Sequence, residues 1–193
     1  MSLVKPLSAD ISLIQRLRSN SDCLFNAEEV DVAIHRMAEQ ITAALGDLNP
    51  LLLCVMNGGL LLSGRLASLL DFPMQIDYLH ATRYRGETSG SDLQWISYPR
   101  EAIFGRPVLL VDDILDEGNT LKAVKEYCIT QGASQVYSAV LVEKIHDRRI
   151  EGIEADCIGL RIEDEFVFGC GLDYKGYLRN APGIFAVSPK DLP

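Results

Sequence analysis

The sequence predicts an α/β fold with a doubly wound, mostly parallel sheet. Short apolar runs rich in Val, Leu and Ile recur along the chain, which is typical of strands buried on both faces. Segments with three- and four-residue apolar spacing lie between several of these runs, as expected for helices that connect parallel strands. With 193 residues, 48% of them hydrophobic, the chain can form one complete core, so we expect 1–193 to be a single domain.

The elements follow in order along the chain. Asn26 can cap a helix that ends at Gly46 and whose apolar face holds Val30, Ile34, Met37, Ile41 and Leu45. His35 lies beside that face, and we interpret it as a packed or half-exposed helix residue. Further helices are predicted over 60–70 and 121–130. The predicted strands are 51–56, 74–80, 93–98, 108–111 and 136–142.

Charge and cysteine content exclude several classes of protein. A net charge of −9 and a pI near 4.8 disfavour non-specific nucleic-acid binding, so an anionic substrate has to be held by a metal and a few cations. The five cysteines are scattered and include no CxxC pair, which disfavours a disulfide framework or a zinc site. The N-terminus lacks a signal pattern and no apolar run has membrane-spanning length. We expect a soluble, cytoplasmic protein with no membrane partner.

Residues 108–120 carry most of the chemistry. An apolar run leads into Asp112 and Asp113, a third acid follows at Asp116, and a Gly-Asn-Thr turn closes the stretch. Sheets of this class bind ligands at the carboxyl ends of their strands. Gly118 allows a tight turn that points amides near Thr120 toward a phosphate, ahead of a helix N-terminus that favours negative charge. Because the carboxylates suit hydroxyls, a metal ion or a proton, the stretch predicts a site for a phosphorylated sugar.

This arrangement resembles the phosphoribosyl-diphosphate motif of type I phosphoribosyltransferases, in which two acids end a strand and a loop wraps the 5′-phosphate. The resemblance extends from about 51 to 187, and its closest branch is that of the hypoxanthine-guanine enzymes. It implies that Asp112 and Asp113 bind the ribose hydroxyls, one or both through Mg²⁺, and that Asp116 is the general base. The 5′-phosphate loop would be formed by Glu117, Gly118, Asn119 and Thr120.

Further motifs of the family follow in the same order. Asn57, Gly58 and Gly59 match a pyrophosphate-binding loop that often contains a cis peptide bond, although the branch often has a lysine where Asn57 stands. Tyr84, after Arg83, matches the tyrosine of a Ser-Tyr pair in a loop that closes over the reaction. Glu117 is another departure, because a threonine is common there. We expect its carboxylate to point outward while the loop binds phosphate by backbone amides.

The resemblance also assigns the base pocket. Lys144 matches a strand-end lysine that donates to the six-oxo group of the purine, and a lysine has no acceptor to offer an amino base. Phe166 matches the ring that stacks on the purine, and Val167 the residue whose backbone meets the base edge. Asp173 matches a ligand of the second Mg²⁺, and Arg179 a guanidinium that meets pyrophosphate.

The implied activity is purine salvage. The 5-phosphoribosyl group of 5-phosphoribosyl-1-diphosphate would pass to hypoxanthine or guanine, giving IMP or GMP plus pyrophosphate. A small hood, approximately 1–25 and 160–193, would cover the base above the core. Mg²⁺ would be the cofactor, and the family implies a homodimer or homotetramer.

Two alternatives remain open. One is an enzyme with a different base pocket, for xanthine and guanine or for adenine, and the matched Lys144 disfavours adenine. The other is a non-catalytic regulatory homologue that binds nucleic acid, which would require a basic surface or an added winged-helix domain. The acidic composition of this chain disfavours it.

Overall fold

The computed structural model describes residues 11–83 and 93–192, and a six-stranded sheet forms its centre. Its strands are β2 (Leu51–Met56), β3 (Gln75–Arg83), β4 (Leu93–Ser97), β5 (Pro107–Leu115), β6 (Gln135–Ile145) and β7 (Cys157–Glu163). They lie in the order β4-β3-β2-β5-β6-β7. All neighbours pair in parallel except β4, which is antiparallel to β3 at one edge. The predicted α/β class and mostly parallel sheet are therefore confirmed.

Helices cover both faces of this sheet. Helices α2 (Ala27–Leu45) and α3 (Leu60–Ala67) share one core with alternate residues of β2 and β5, including Leu52 and Leu109. Helix α4 (Asn119–Thr130) packs on the opposite face, where Leu53 and Leu110 are buried. Because successive strand residues point to opposite faces, both faces of these strands are apolar. Within the described ranges, no helix combines the length and apolar character that a membrane span requires.

The start of α2 shows how local sequence sets an element. The side chain of Asn26 accepts a hydrogen bond from the Glu29 amide at 3.0 Å, and the Glu29 carboxylate accepts one from the Asn26 amide at 2.8 Å. This capping box pairs two amide groups that a helix start would otherwise leave unpaired. The predicted cap and the end of the helix before Gly46 are confirmed, and His35 lies exposed on α2, bonded to the Asp31 carbonyl of its own helix.

Several boundaries differ from the prediction. Strand β5 runs to Leu115 instead of ending at residue 111, because its pairing with β6 continues to Leu115 opposite Glu143. Asp112 and Asp113 therefore lie within the strand rather than after it. Helix α4 begins at Asn119, two residues earlier than predicted, and α3 ends at Ala67 rather than at residue 70.

Segments near both ends of the described chain form a second, smaller sheet. It pairs β1 (Asp22–Phe25), β9 (Ile184–Ala186) and β8 (Val167–Phe168), all antiparallel, and α1 (Ile11–Asn20) buries Leu17 beside Phe168. That the two hood segments cover the base stays a prediction; both contribute residues to this small sheet. Residues 160–163 do not belong to it, since they lie in β7 of the large sheet.

Candidate active site

A cavity of about 650 Å³ opens where β2, β3, β5 and β6 end. Its walls contain most of the residues that the sequence marked as a site: Asn57, Gly58, Asp112, Asp113, Asp116, Gly118, Thr120, Lys144, Phe166, Val167, Asp173 and Arg179. Gly59, Glu117 and Asn119 lie next to these residues in the chain but do not line the cavity. Tyr84 lies outside the described residues.

Two carboxylates meet at the floor of the cavity. Asp113 is buried, with 8% of its surface exposed, and its amide donates to the Asp112 carboxylate at 2.9 Å. Burial and the adjacent charge of Asp113 raise the pKa of Asp112 well above its ordinary range. Burial also raises the pKa of Asp113. A pair of acids held in this way favours a cationic ligand or a hydroxyl donor.

Arg179 joins this pair to a third acid. Its guanidinium lies 3.7 Å from the Asp113 carboxylate and 2.5 Å from that of Asp173. Asp173 also accepts a hydrogen bond from the Gly176 amide at 2.6 Å, which fixes the turn that carries it. One guanidinium therefore contacts two of the three carboxylates on this wall, and a bound cation would favour the ionised form of the buried pair.

The loop after β2 approaches that wall closely. The peptide bond between Met56 and Asn57 is cis, as the resemblance led us to expect. A Cβ atom on Gly58 would lie 2.2 Å from the Asp113 carboxylate, so any larger residue there would force that carboxylate to move. The loop and the acidic pair therefore form one continuous surface.

The turn before α4 supplies a different kind of binding surface. Gly118 has φ of 92°, a left-handed conformation that glycine adopts readily, and it precedes the first residue of α4. Gly118 and Thr120 therefore place the amino end of a helix at the cavity, where an anion is favoured. Glu117 is half-buried, and its carboxylate accepts a hydrogen bond from the Asn119 side chain at 3.0 Å.

Charged groups alternate on the wall formed by β5 and β6. The Lys144 ammonium lies 3.5 Å from the Asp116 carboxylate and 3.5 Å from that of Asp164. Arg148 donates to Asp164 at 2.6 Å, and this hydrogen bond, followed by the charge of Lys144, lowers the pKa of Asp164 to about 2. Only 12% of the Lys144 side chain is exposed, and its ammonium is held at the cavity by opposite charges.

Sequence reasoning missed several residues of this site. His146 contacts Asp116 at 2.7 Å, Asp164 contacts Lys144, and His80 and Lys175 line the cavity. One signal was available for His146: it stands two positions after Lys144 at the end of a strand, so both side chains are expected on the same face. The other three come from separate segments, and only the fold brings them to the site.

An aromatic ring stands on the side of the cavity that the small sheet forms. The ring centroids of Phe166 and Tyr174 are 5.9 Å apart, and the two rings meet edge-on. Phe166 is 38% exposed, so part of its surface remains accessible. Its carbonyl accepts a hydrogen bond from the Val187 amide at 2.8 Å. Val167, the next residue, is buried against the large core while also lining the cavity.

Among the described residues, two sets of mostly acidic side chains bear on metal binding. Asp116, His146 and Asp164 have ligand atoms within 4.8 Å of one another, but Lys144 lies within 4 Å of both carboxylates, and a bound cation would meet its charge. Asp112, Asp113 and Asp173 line the cavity and present only oxygen donors, which suits a hard ion such as Mg²⁺.

Comparison with known proteins agrees with this geometry. A family model described as a phosphoribosyl transferase domain matches residues 21–175. The hypoxanthine-guanine phosphoribosyltransferase of Streptococcus pneumoniae strain R6 is 34% identical over 162 residues, which are 83% of this chain and 89% of that protein. A crystal structure of a hypoxanthine phosphoribosyltransferase from Staphylococcus aureus superposes with a TM-score of 0.83 at 26% identity, over 95% of this chain and 97% of that one. A hypoxanthine-guanine-xanthine phosphoribosyltransferase gives a TM-score of 0.78 at 25% identity, over 86% and 96%.

Proposed function

The chain belongs to the phosphoribosyltransferase family, and we propose that it transfers the 5-phosphoribosyl group of 5-phosphoribosyl-1-diphosphate to hypoxanthine or guanine. It is a purine salvage enzyme, and its products are IMP or GMP and pyrophosphate.

One observation carries the assignment of the base pocket: the Lys144 ammonium and the Asp116 carboxylate lie side by side, 3.5 Å apart, on one wall. A 6-oxopurine presents O6 and N7 as neighbours on one edge. The ammonium can donate to O6, while the carboxylate accepts the proton carried by the imidazole ring. An adenine would place an amino group opposite a lysine that can only donate, so the pair supports selection of a 6-oxo base.

The small sheet supports the proposed position of the base. Phe166 presents an accessible part of its ring to the cavity, and stacking on a purine would bury apolar surface of both. The backbone of Val167 is the proposed contact for the rest of the base edge. The hydrogen bond from the Val187 amide to the Phe166 carbonyl joins residue 166 to the residue that follows β9. This bond helps to fix the backbone that carries the Phe166 ring.

The remaining walls fit the sugar diphosphate. Gly118 and Thr120, at the amino end of α4, are proposed to hold the 5′-phosphate with backbone amides, with Glu117 and Asn119 shaping the turn behind them. Asp112 and Asp113 would bind the ribose hydroxyls. The pyrophosphate would lie against the loop of Asn57, Gly58 and Gly59, with Arg179 as its cation.

The carboxylates also fit Mg²⁺. Asp112, Asp113 and Asp173 are the proposed ligands, because they supply oxygen donors on one wall of the cavity. Bound there, Mg²⁺ would neutralise charge on the diphosphate and so make it a better leaving group.

The reaction follows from these positions. A purine ring nitrogen forms a bond to the anomeric carbon as the bond from that carbon to the pyrophosphate oxygen breaks, with inversion. The pyrophosphate leaves with the electron pair, and the proton of the imidazole ring passes to Asp116. Positive charge that develops on the sugar would be favoured by the carboxylate oxygens of Asp112 and Asp113 beneath it.

The test is a rate measurement on the purified chain. Initial rates of nucleotide formation are measured with 5-phosphoribosyl-1-diphosphate, Mg²⁺ and hypoxanthine, guanine, xanthine or adenine in turn. We expect IMP and GMP to form rapidly and adenine to be a poor substrate. Faster use of xanthine would favour the xanthine-guanine alternative, and nucleotide formation with none of the four bases would contradict the proposal.

The assembly state stays a prediction. We expect a homodimer or homotetramer, and apolar side chains exposed on β3 and β4, namely Ile76, Tyr78 and Ile96, are compatible with burial between copies. Sedimentation at several concentrations tests it, since a monomer throughout would contradict it.

A further inference from the structure

His146 contacts Asp116, the proposed general base, from the side away from the cavity. Its Nε2 atom is 2.7 Å from Oδ1 of Asp116, and only 4% of its side chain is exposed. It is not among the residues that line the cavity, so it does not meet the purine. We propose that His146 is a positioning residue: it holds one carboxylate oxygen of Asp116 and thereby directs the other oxygen toward the purine. This role rests on the proposed function of Asp116.

The contacts of the ring determine where its proton sits. The backbone amide of Arg148 points at Nδ1 of His146, at 3.1 Å. An amide N–H can only donate, so Nδ1 must be unprotonated to accept it. A neutral imidazole with a free Nδ1 carries its proton on Nε2, and Nε2–H therefore donates to the Asp116 carboxylate.

The segment that carries His146 is fixed at several points. Arg149 donates to the buried Glu143 at 2.7 Å and to the Lys144 carbonyl at 2.7 Å. The Ile150 amide donates to the Glu117 carbonyl at 2.9 Å, which joins this segment to the turn before α4. A side chain held by anchored backbone loses little entropy when it makes a further contact, so the ring is suited to hold another group in place.

The two oxygens of Asp116 are thereby given different surroundings. Oδ1 meets His146, with Arg148 at 4.0 Å, whereas Oδ2 is the atom nearest Lys144. Because Lys144 is the proposed partner of O6, Oδ2 is the oxygen placed to accept the neighbouring proton. Without His146, a carboxylate that is 36% exposed could rotate and present this geometry for only part of the time.

The kinetic test compares His146→Ala in two backgrounds. In the wild-type background we expect kcat to fall by about 10- to 100-fold while KM for the sugar diphosphate stays within about twofold. In an Asp116→Asn background the same substitution should change kcat by less than about threefold, because the residue acts through the carboxylate. Equal losses in both backgrounds, or an unchanged kcat in the first, would overturn the proposal.

Two further variants test whether the effect of His146→Ala comes from the lost hydrogen-bond donor. His146→Gln keeps an N–H donor at similar reach and should retain clearly more turnover than His146→Ala, so equal turnover of the two would count against the proposal. His35→Ala removes an exposed histidine of α2 and should leave kcat unchanged. The wild-type rate in the same assay separates the two claims: an inactive wild type contradicts the proposed function, whereas an active wild type with an unaffected His146→Ala contradicts only the role of His146.

A spectroscopic measurement tests the contact without turnover. The chain has three histidines, so nitrogen-15 NMR of their side chains, with His146→Gln to assign the signal, can report the protonation of this ring. We expect Nε2 to carry a proton and to donate it to Asp116, with Nδ1 as the acceptor of the Arg148 amide. A ring protonated on Nδ1 with Nε2 unprotonated would overturn the proposal.

Discussion

The ammonium of Lys144 lies 3.5 Å from Oδ2 of Asp116, a donor beside an acceptor on the wall where β5 and β6 end. The two strands are neighbours, and Leu115, next to Asp116, pairs with Glu143, next to Lys144. Parallel pairing therefore sets the spacing of the two charged groups before any substrate binds.

This spacing leads to a prediction about base choice. Lys144→Gln replaces a pure donor with a group that both donates and accepts. It should lower kcat/KM for hypoxanthine and guanine by an amount equivalent to about 1–3 kcal/mol of transition-state stabilisation, and it should weaken the exclusion of adenine. Specificity constants for the three bases measure the effect, and Lys190→Gln, at an exposed lysine, is the control. A ratio identical to that of the wild type would mean that the purine is recognised elsewhere.

Glu117 provides a prediction of a small effect. Its carboxylate is bonded to Asn119 and does not line the cavity, so Glu117→Thr should change KM for 5-phosphoribosyl-1-diphosphate by less than about threefold. The matched control is Glu126→Thr, at an exposed position of α4. A large fall in KM for Glu117→Thr alone would show that the native glutamate repels the phosphate.

The carboxylates assigned to Mg²⁺ predict dependence on the metal. Excess chelator should abolish turnover, and added Mg²⁺ should restore it. Asp173→Asn should require about tenfold or more Mg²⁺ for half-maximal rate, since it removes one charged ligand, whereas Asp71→Asn, at an exposed position, should not. Full activity in chelator would refute the assignment.

The buried acidic pair should lower stability when no cation is bound. Burial and the charge of Asp113 raise the pKa of Asp112, so the cost of ionising it appears as pH rises from about 4, the ordinary pKa, through the raised value. In chelator at pH 7, Asp112→Asn should therefore raise Tm. The gain should shrink as pH falls toward 4, and a lowered Tm at pH 7 would contradict this explanation.

Local sequence predicted the elements whose limits depend on nearby residues. The bounds of β2 coincide with the predicted range, and Asn26 caps the start of α2 as expected. The end of β5 was missed because Asp112 and Asp113 interrupt its apolar run, while the pairing that extends it comes from β6, more than twenty residues away.

The site could be predicted where it follows ordered motifs, and not where it depends on the meeting of separate segments. Asp116 and Lys144 were found through the resemblance, from their places in its ordered motifs. The contact between Asp164 and Lys144 forms only because β7 pairs beside β6, and no spacing in the sequence marks it. His146 was within reach of strand alternation, but its contact with Asp116 joins positions thirty residues apart.

The most direct test of the central claim is the turnover of Asp116→Asn. If Asp116 accepts the proton of the imidazole ring, the variant should form IMP more slowly than the wild type by a factor on the order of 10² to 10⁴. Its binding of 5-phosphoribosyl-1-diphosphate, measured by calorimetry with Mg²⁺, should remain within about threefold of the wild type, since the sugar diphosphate meets other walls. The account predicts this separation of turnover from binding, and a variant that forms IMP at close to the wild-type rate would contradict it.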